Sequence, residues 1–91
     1  FNRQVEALAK KGDVGIGIST SGKSDNVISA LKRASKLNCT TIGFSGQNGR
    51  EMSKICNVNL AVLSEDTPRI QEMHILIGHT ICHLIDQEYK L

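Results

Sequence analysis

Residues 14–24 read Val14-Gly15-Ile16-Gly17-Ile18-Ser19-Thr20-Ser21-Gly22-Lys23-Ser24, and a helical pattern from Val27 to Leu37 follows. The apolar run Val14–Ile18 predicts a buried strand. The next six residues carry four hydroxyls and a glycine, and they lead into a helix N-terminus. The first-turn amides of a helix have no intrahelical acceptor, and the helix dipole favours negative charge beside them. Serine and threonine hydroxyls add short donors, and Gly22 permits a tight turn with close backbone approach. This strand–loop–helix unit is built to receive an anion, and a phosphate group is its natural guest.

Outward from this unit the chain alternates. A strand over Val14–Ser19 is followed by a helix over Asn26–Leu37, with Val27, Ile28, Leu31 and Ala34 at helical spacing and Ser24 or Asp25 as N-cap. Asn38 is a helix stop. A strand over Thr40–Ser45 follows, then the turn Gly46-Gln47-Asn48-Gly49, a short helix over Arg50–Ile55 and a strand over Val58–Leu63. Strand, helix, strand, helix, strand at this spacing predicts an α/β fold with a parallel sheet and right-handed crossovers. Ligands of such sheets bind at the carboxyl ends of the strands. Ser19 to Ser24 and Ser45-Gly46 are therefore expected at one edge.

The two ends of the chain read differently. The first residue is Phe1, inside a helical pattern with Val5, Leu8 and Ala9 on one face and the basic, glycine-terminated end Lys10-Lys11-Gly12. A domain rarely opens there, so the chain is expected to be a piece of a longer protein. The last element is the longest: Thr67 is read as its cap, Pro68 suits its first turn, and it runs to about Lys90. Ile70, Met73, Ile75, Leu76, Ile77, Ile81, Cys82, Leu84 and Ile85 cover more than half of its wheel. Such a helix is buried on more than one side, which predicts an oligomer or further chain packed against it. Glu72, His79, His83 and Asp86 form its polar stripe.

Composition narrows the function classes. With 91 residues, 40% apolar and 22% charged, the chain is one small domain or part of one. A net charge of +2 and very few aromatic residues argue against nucleic-acid binding. No apolar run approaches the ~20 residues of a membrane span, and no signal peptide is visible. Cys39, Cys56 and Cys82 are unclustered among apolar residues, which points to reduced thiols in a cytoplasmic protein.

Competing motifs are weaker. Gly17 to Ser24 formally fits Gly-x-x-x-x-Gly-Lys-Ser, the nucleotide-binding P-loop, but Gly17 lies inside the strand pattern. Gly15-x-Gly17 lacks the third glycine of a dinucleotide site, since Thr20 stands there. His79 and His83 are four apart on a helix, a spacing that suits a shared metal, without the glutamate of a metalloprotease pattern. His74 lies elsewhere on the wheel, near Ile81, and reads as a packed side chain.

Gly17-Ile18-Ser19-Thr20-Ser21-Gly22-Lys23-Ser24 with Asn26-Val27 resembles the phosphosugar loop of SIS (sugar isomerase) domains. Arg69-Ile70-Gln71-Glu72-x-His74, with His79 five residues on, narrows the resemblance to phosphoheptose isomerases. It runs along essentially all of residues 1–91 and covers the C-terminal half of a single SIS domain. It implies a three-layer, flavodoxin-like parallel sheet flanked by helices, here about three strands and a long last helix. It also implies an aldose–ketose isomerase that converts sedoheptulose 7-phosphate to D-glycero-D-manno-heptose 7-phosphate through an enediol. Ser19, Thr20, Ser21 and Ser24 would hold the phosphate, and His79 would be a catalytic acid/base. Gln71 and His79 would be metal ligands, with zinc as the cofactor. The glutamate partner of His79 would lie outside this chain, and the assembly would be a homotetramer. Two further classes share the fold: an adaptor that binds the bacterial replication initiator, and a phosphosugar-sensing domain.

Overall fold

Strand β1 (Val14–Ile18), β2 (Thr40–Ser45) and β3 (Val58–Ala61) form a parallel sheet in the order β1-β2-β3. The computed structural model describes residues 1–89, so the expected helix end at Lys90 lies outside the described residues. Helices α1 (Asn2–Leu8), α2 (Asp25–Lys36), α3 (Arg50–Ile55) and α4 (Thr67–Tyr89) complete the chain.

Strand side chains alternate between faces, and here each face has its own helices. Gly15 and Gly17 face α2: a Cβ on Gly17 would stand 2.7 Å from Leu31 Cδ1. Two bare positions let α2 lie close against β1. Ile28, Leu31 and Met52 form the core between this face, α2 and α3, at 6%, 3% and 0% exposure. Burial of each such side chain stabilises the fold by about 1.5–3 kcal/mol. On the opposite face α4 sits at the β2 end, where the Phe44 and His74 rings pack with centroids 5.7 Å apart. The expected three layers are present.

The coverage of β1 differs from expectation. Val14, Ile16 and Ile18 are 57%, 51% and 55% exposed, because α4 covers Phe44 and does not reach β1. The apolar run is thus a strand buried on its glycine face alone among the described residues. Helix α4 likewise buries only Ile70 and His74, while Ile75, Leu76 and Leu84 stay exposed.

Element ends depart from the sequence reading at several places, and α2 itself runs Asp25–Lys36 in place of the expected Asn26–Leu37. Helix α1 stops at Leu8, and the expected basic helix end is a turn. The Asp13 carboxylate accepts the Lys10 amide at 2.9 Å and draws the chain out of the helix. Leu8 is consequently exposed, leaving Val5 and Ala9 half-buried. Strands β1 and β3 end before Ser19 and before Val62, although single ladder bonds, Ser19 amide to Phe44 carbonyl at 2.9 Å and Val62 amide to Ser45 carbonyl at 3.0 Å, extend the pairing. Thr67 is the first helical residue of α4. The Asp66 carbonyl accepts the Ile70 amide at 3.0 Å, which puts Asp66 at the N-cap position. By contrast Asn38, with φ 63°, stops α2 as expected. No helix among the described residues is long and apolar enough to cross a membrane.

Candidate functional site

Three loops meet at the carboxyl edge of the sheet: residues 19–24 after β1, 46–49 after β2 and 62–66 after β3. A parallel sheet puts all its strand ends together, so segments distant in sequence become neighbours. Gly22 adopts φ +68°, a conformation that side chains with a Cβ disfavour. It rests on the backbone of Gly49, so a Cβ there would collide. Gly46 in turn lies against the Thr20 carbonyl, where a Cβ would come within 2.6 Å. The loops enclose a polar cleft of about 160 Å³ lined by Thr20, Ser21, Lys23, Asn48, Ser64 and Thr67.

The hydroxyls of the first loop have different jobs. Ser19 is buried, and its Oγ accepts the Gly22 amide at 3.1 Å and donates to Ser24 Oγ at 3.1 Å. It is the strut that curls the loop. Ser21 Oγ lies 3.4 Å from Ser19 Oγ and accepts the Lys23 amide at 3.1 Å. Ser24 holds the N-cap position of α2 with extended backbone, but its hydroxyl joins Ser19 and makes no capping bond. Thr20, Ser21 and Ser24 are the hydroxyls at the accessible side of the loop, with Lys23 exposed on the rim. The helix dipole and this ammonium favour an anion in the cleft, against the Glu65 carboxylate that also lines it. Gly17 sits within β1 and makes no part of the loop, which disposes of the P-loop reading.

Helix α4 begins at this same edge. Ile70 lines the cleft, and Gln71 follows it, exposed. His79 is also exposed but does not line the cleft. Eight residues separate Gln71 from His79, a rise of about 12 Å along the helix. Among the described residues no group of three or more His, Cys, Asp or Glu side chains is placed to hold a metal. Zinc takes four ligands about 2 Å away. One imidazole and one amide so spaced do not make a zinc site by themselves.

Under the loops lies a buried polar layer. Ser45, fully buried, exchanges hydrogen bonds between its Oγ and the Asn59 side-chain amide at 3.0–3.2 Å. Asn59 Nδ2 also donates to Ser53 Oγ at 2.8 Å. His74, 5% exposed, places Nε2 at 2.8 Å from the Ser45 carbonyl. A carbonyl only accepts, so Nε2 carries a proton and donates it. Nδ1 meets no donor among the described residues.

No protein-family model matches the chain. Individual proteins do. The phosphoheptose isomerase of Aliarcobacter butzleri is 65% identical over 88 residues, which is 97% of this chain and 47% of the relative. Phosphoheptose isomerase 1 of Campylobacter jejuni is 60% identical over 89 residues, 98% of this chain and 48% of its own length. Two solved phosphoheptose isomerases share the fold at a TM-score of 0.90 each. That of Francisella tularensis is 38% identical over 96% of this chain and 49% of its own, and that of Neisseria gonorrhoeae 44% over 94% and 49%.

The chain spans about half the length of the phosphoheptose isomerases it matches in sequence and in fold.

Against that frame, the structure brings the Ser19–Ser24 loop and Gln71 to one edge and leaves His79 about two turns further along α4. Asn48, Ser64 and Thr67, which also line the cleft, escaped the sequence reading. Their signal was positional: each follows the carboxyl end of a parallel strand. Ser45 was expected at this edge, but its partner Asn59 escaped the reading, because a buried amide in an apolar strand pattern carries no periodicity of its own.

Proposed function

We propose that this chain is the C-terminal portion of a SIS domain and supplies the phosphate-binding half of an aldose–ketose isomerase acting on sedoheptulose 7-phosphate. The observation that supports this reading is the hydroxyl-lined cleft at the N-terminus of α2, beside the start of the helix that carries Gln71 and His79. Thr20, Ser21 and Ser24 hold the phosphate of the sugar, and Ser19 keeps their loop curled. With the phosphate anchored, the carbonyl end of an extended seven-carbon sugar lies away from the cleft, along α4.

Isomerisation moves a proton between the two carbons of the enediol and another between their oxygens. His79 suits such a transfer, since imidazole gains and loses a proton near neutral pH. The second acid/base group is the glutamate that the family resemblance places outside this chain. Zinc, as the family cofactor, would polarise the carbonyl; Gln71 and His79 would need donors from outside residues 1–91 to hold it. The uncovered apolar faces of β1 and α4 support a homo-oligomer that buries them, in this reading a tetramer, and the reading places it in the cytoplasm.

The full-length protein assayed with sedoheptulose 7-phosphate, with and without chelator and added zinc, tests this. Turnover lost with chelator and restored by zinc is the expected result. Turnover indifferent to chelator keeps the isomerase and removes the metal. Sugar-phosphate binding without turnover in any condition would overturn the enzyme in favour of an adaptor or sensor.

A further inference from the structure

Ser45 occupies a place that no loop residue shares. Its side chain underlies Gly49, where a Cβ would collide with it, and Gly49 supports Gly22 of the phosphate loop. Its carbonyl receives His74 Nε2 from α4. Its hydroxyl is held by Asn59 of β3. One fully buried residue therefore touches both the floor of the phosphate loop and the helix that carries Gln71 and His79.

Helix α4 has few other means of holding its position. Ile70 and His74 are its only buried residues among those described, and Arg69 pairs only with Glu72 of the same helix at 2.8 Å. Ile70 makes an apolar contact against Gly46, which tolerates sliding and rotation. The His74–Ser45 bond is directional and admits one roll of the helix. Gln71 is one turn before His74, and His79 is a little more than one turn after it. A change in roll at His74 moves both.

We infer that His74 is a positioning residue for the reaction: through Ser45 it sets the roll and depth of α4 relative to the phosphate loop, so that the sugar reaches His79 when its phosphate is seated. This rests on the isomerase reading given above. The arrangement requires a proton on Nε2.

The test uses the full-length protein and the variants His74→Leu and His74→Gln. Leucine keeps volume and removes the donor; the glutamine amide can place an N–H near the site of Nε2. Expected for folded H74L is a kcat lower by on the order of tenfold or more, as misplacement of a reacting group produces, with inorganic phosphate affinity unchanged. H74Q should recover most of that loss. A merely structural role would lower Tm alike in both variants and leave kcat of the folded protein untouched, and that result overturns the inference. So does H74L losing phosphate affinity as much as kcat, or H74Q being no better than H74L. Should H74L fail to fold, nitrogen-15 NMR of the unsubstituted protein decides: a ring whose sole proton sits on Nδ1 leaves Nε2 nothing to donate to Ser45 and overturns the proposal, and a proton on Nε2 supports it. Absence of turnover in the unsubstituted protein would instead sink the isomerase reading itself, and the positioning role would fall with it.

Discussion

Replacing Gly22 with alanine should cost phosphate affinity more than it costs stability. Gly22 has φ +68°, where a residue with a Cβ is disfavoured by about 1–2 kcal/mol. The new methyl group would also strike the Gly49 backbone, and forcing atoms into packed space costs about 1–3 kcal/mol. The two together are at least ~2 kcal/mol. The sheet need not unfold to escape this, because the loop bonds mostly to itself, through Ser19, Ser21 and Ser24. It can relax locally, and the binding-competent shape becomes a minor state. Apparent affinity falls by the fraction that remains competent, so ~2 kcal/mol becomes about 30-fold weaker binding. Gly12→Ala is the internal control. Gly12 also has positive φ, +91°, but a Cβ there meets nothing within 4 Å and lies before β1, at the other edge of the sheet. It should cost stability by about 1–2 kcal/mol and leave binding alone. Calorimetric titration of full-length G22A and G12A with inorganic phosphate, beside thermal melts, reads both effects. A folded G22A that binds phosphate as tightly as the unsubstituted protein would refute the reasoning, as would equal weakening in G12A.

Other expectations are narrower. His79→Ala should lower kcat by about 10²–10⁴-fold, the usual range for a lost acid/base group, with an unchanged Tm because His79 is exposed; near-parental turnover would remove it from the mechanism. Ser21→Ala with Ser24→Ala should raise KM for the sugar phosphate more than it lowers kcat, and an unaltered KM would count against the phosphate loop. Met52→Ala empties a fully buried site between α3 and the sheet and should destabilise by about 2–5 kcal/mol in denaturant titration; a loss under ~1 kcal/mol would mean that the core collapses around it. Burial pushes the Cys56 thiol up, against the opposing pull of a hydrogen bond from Thr41. Less thiolate is then present at any given pH, so mass spectrometry after mild alkylation should find Cys56 modified more slowly than the exposed Cys82. Equal rates would contradict it.

Much of this protein is legible in one dimension. The α/β alternation, the bounds of β2 and α3, the Asn38 stop and the convergence of residues 19–24 with Ser45-Gly46 all follow from local periodicity, turn chemistry and the rule that parallel strands share their carboxyl ends. The Ser/Thr loop stands out in the sequence because its hydroxyls, a glycine and a helix start are contiguous. What the sequence could not say concerns contacts between segments. Ser19 to Ser24 look equivalent in a line, yet burial makes Ser19 a strut and leaves the hydroxyls of Thr20, Ser21 and Ser24 accessible. The apolar run of β1 looks fully buried, yet α4 reaches only the β2 end of that face. His74 reads as one more packed side chain, while its bond to the Ser45 carbonyl depends on where a helix some thirty residues downstream docks. Periodicity reports which face of an element avoids water; only the docking of elements decides which buried polar atoms meet, and with them the geometry of the site.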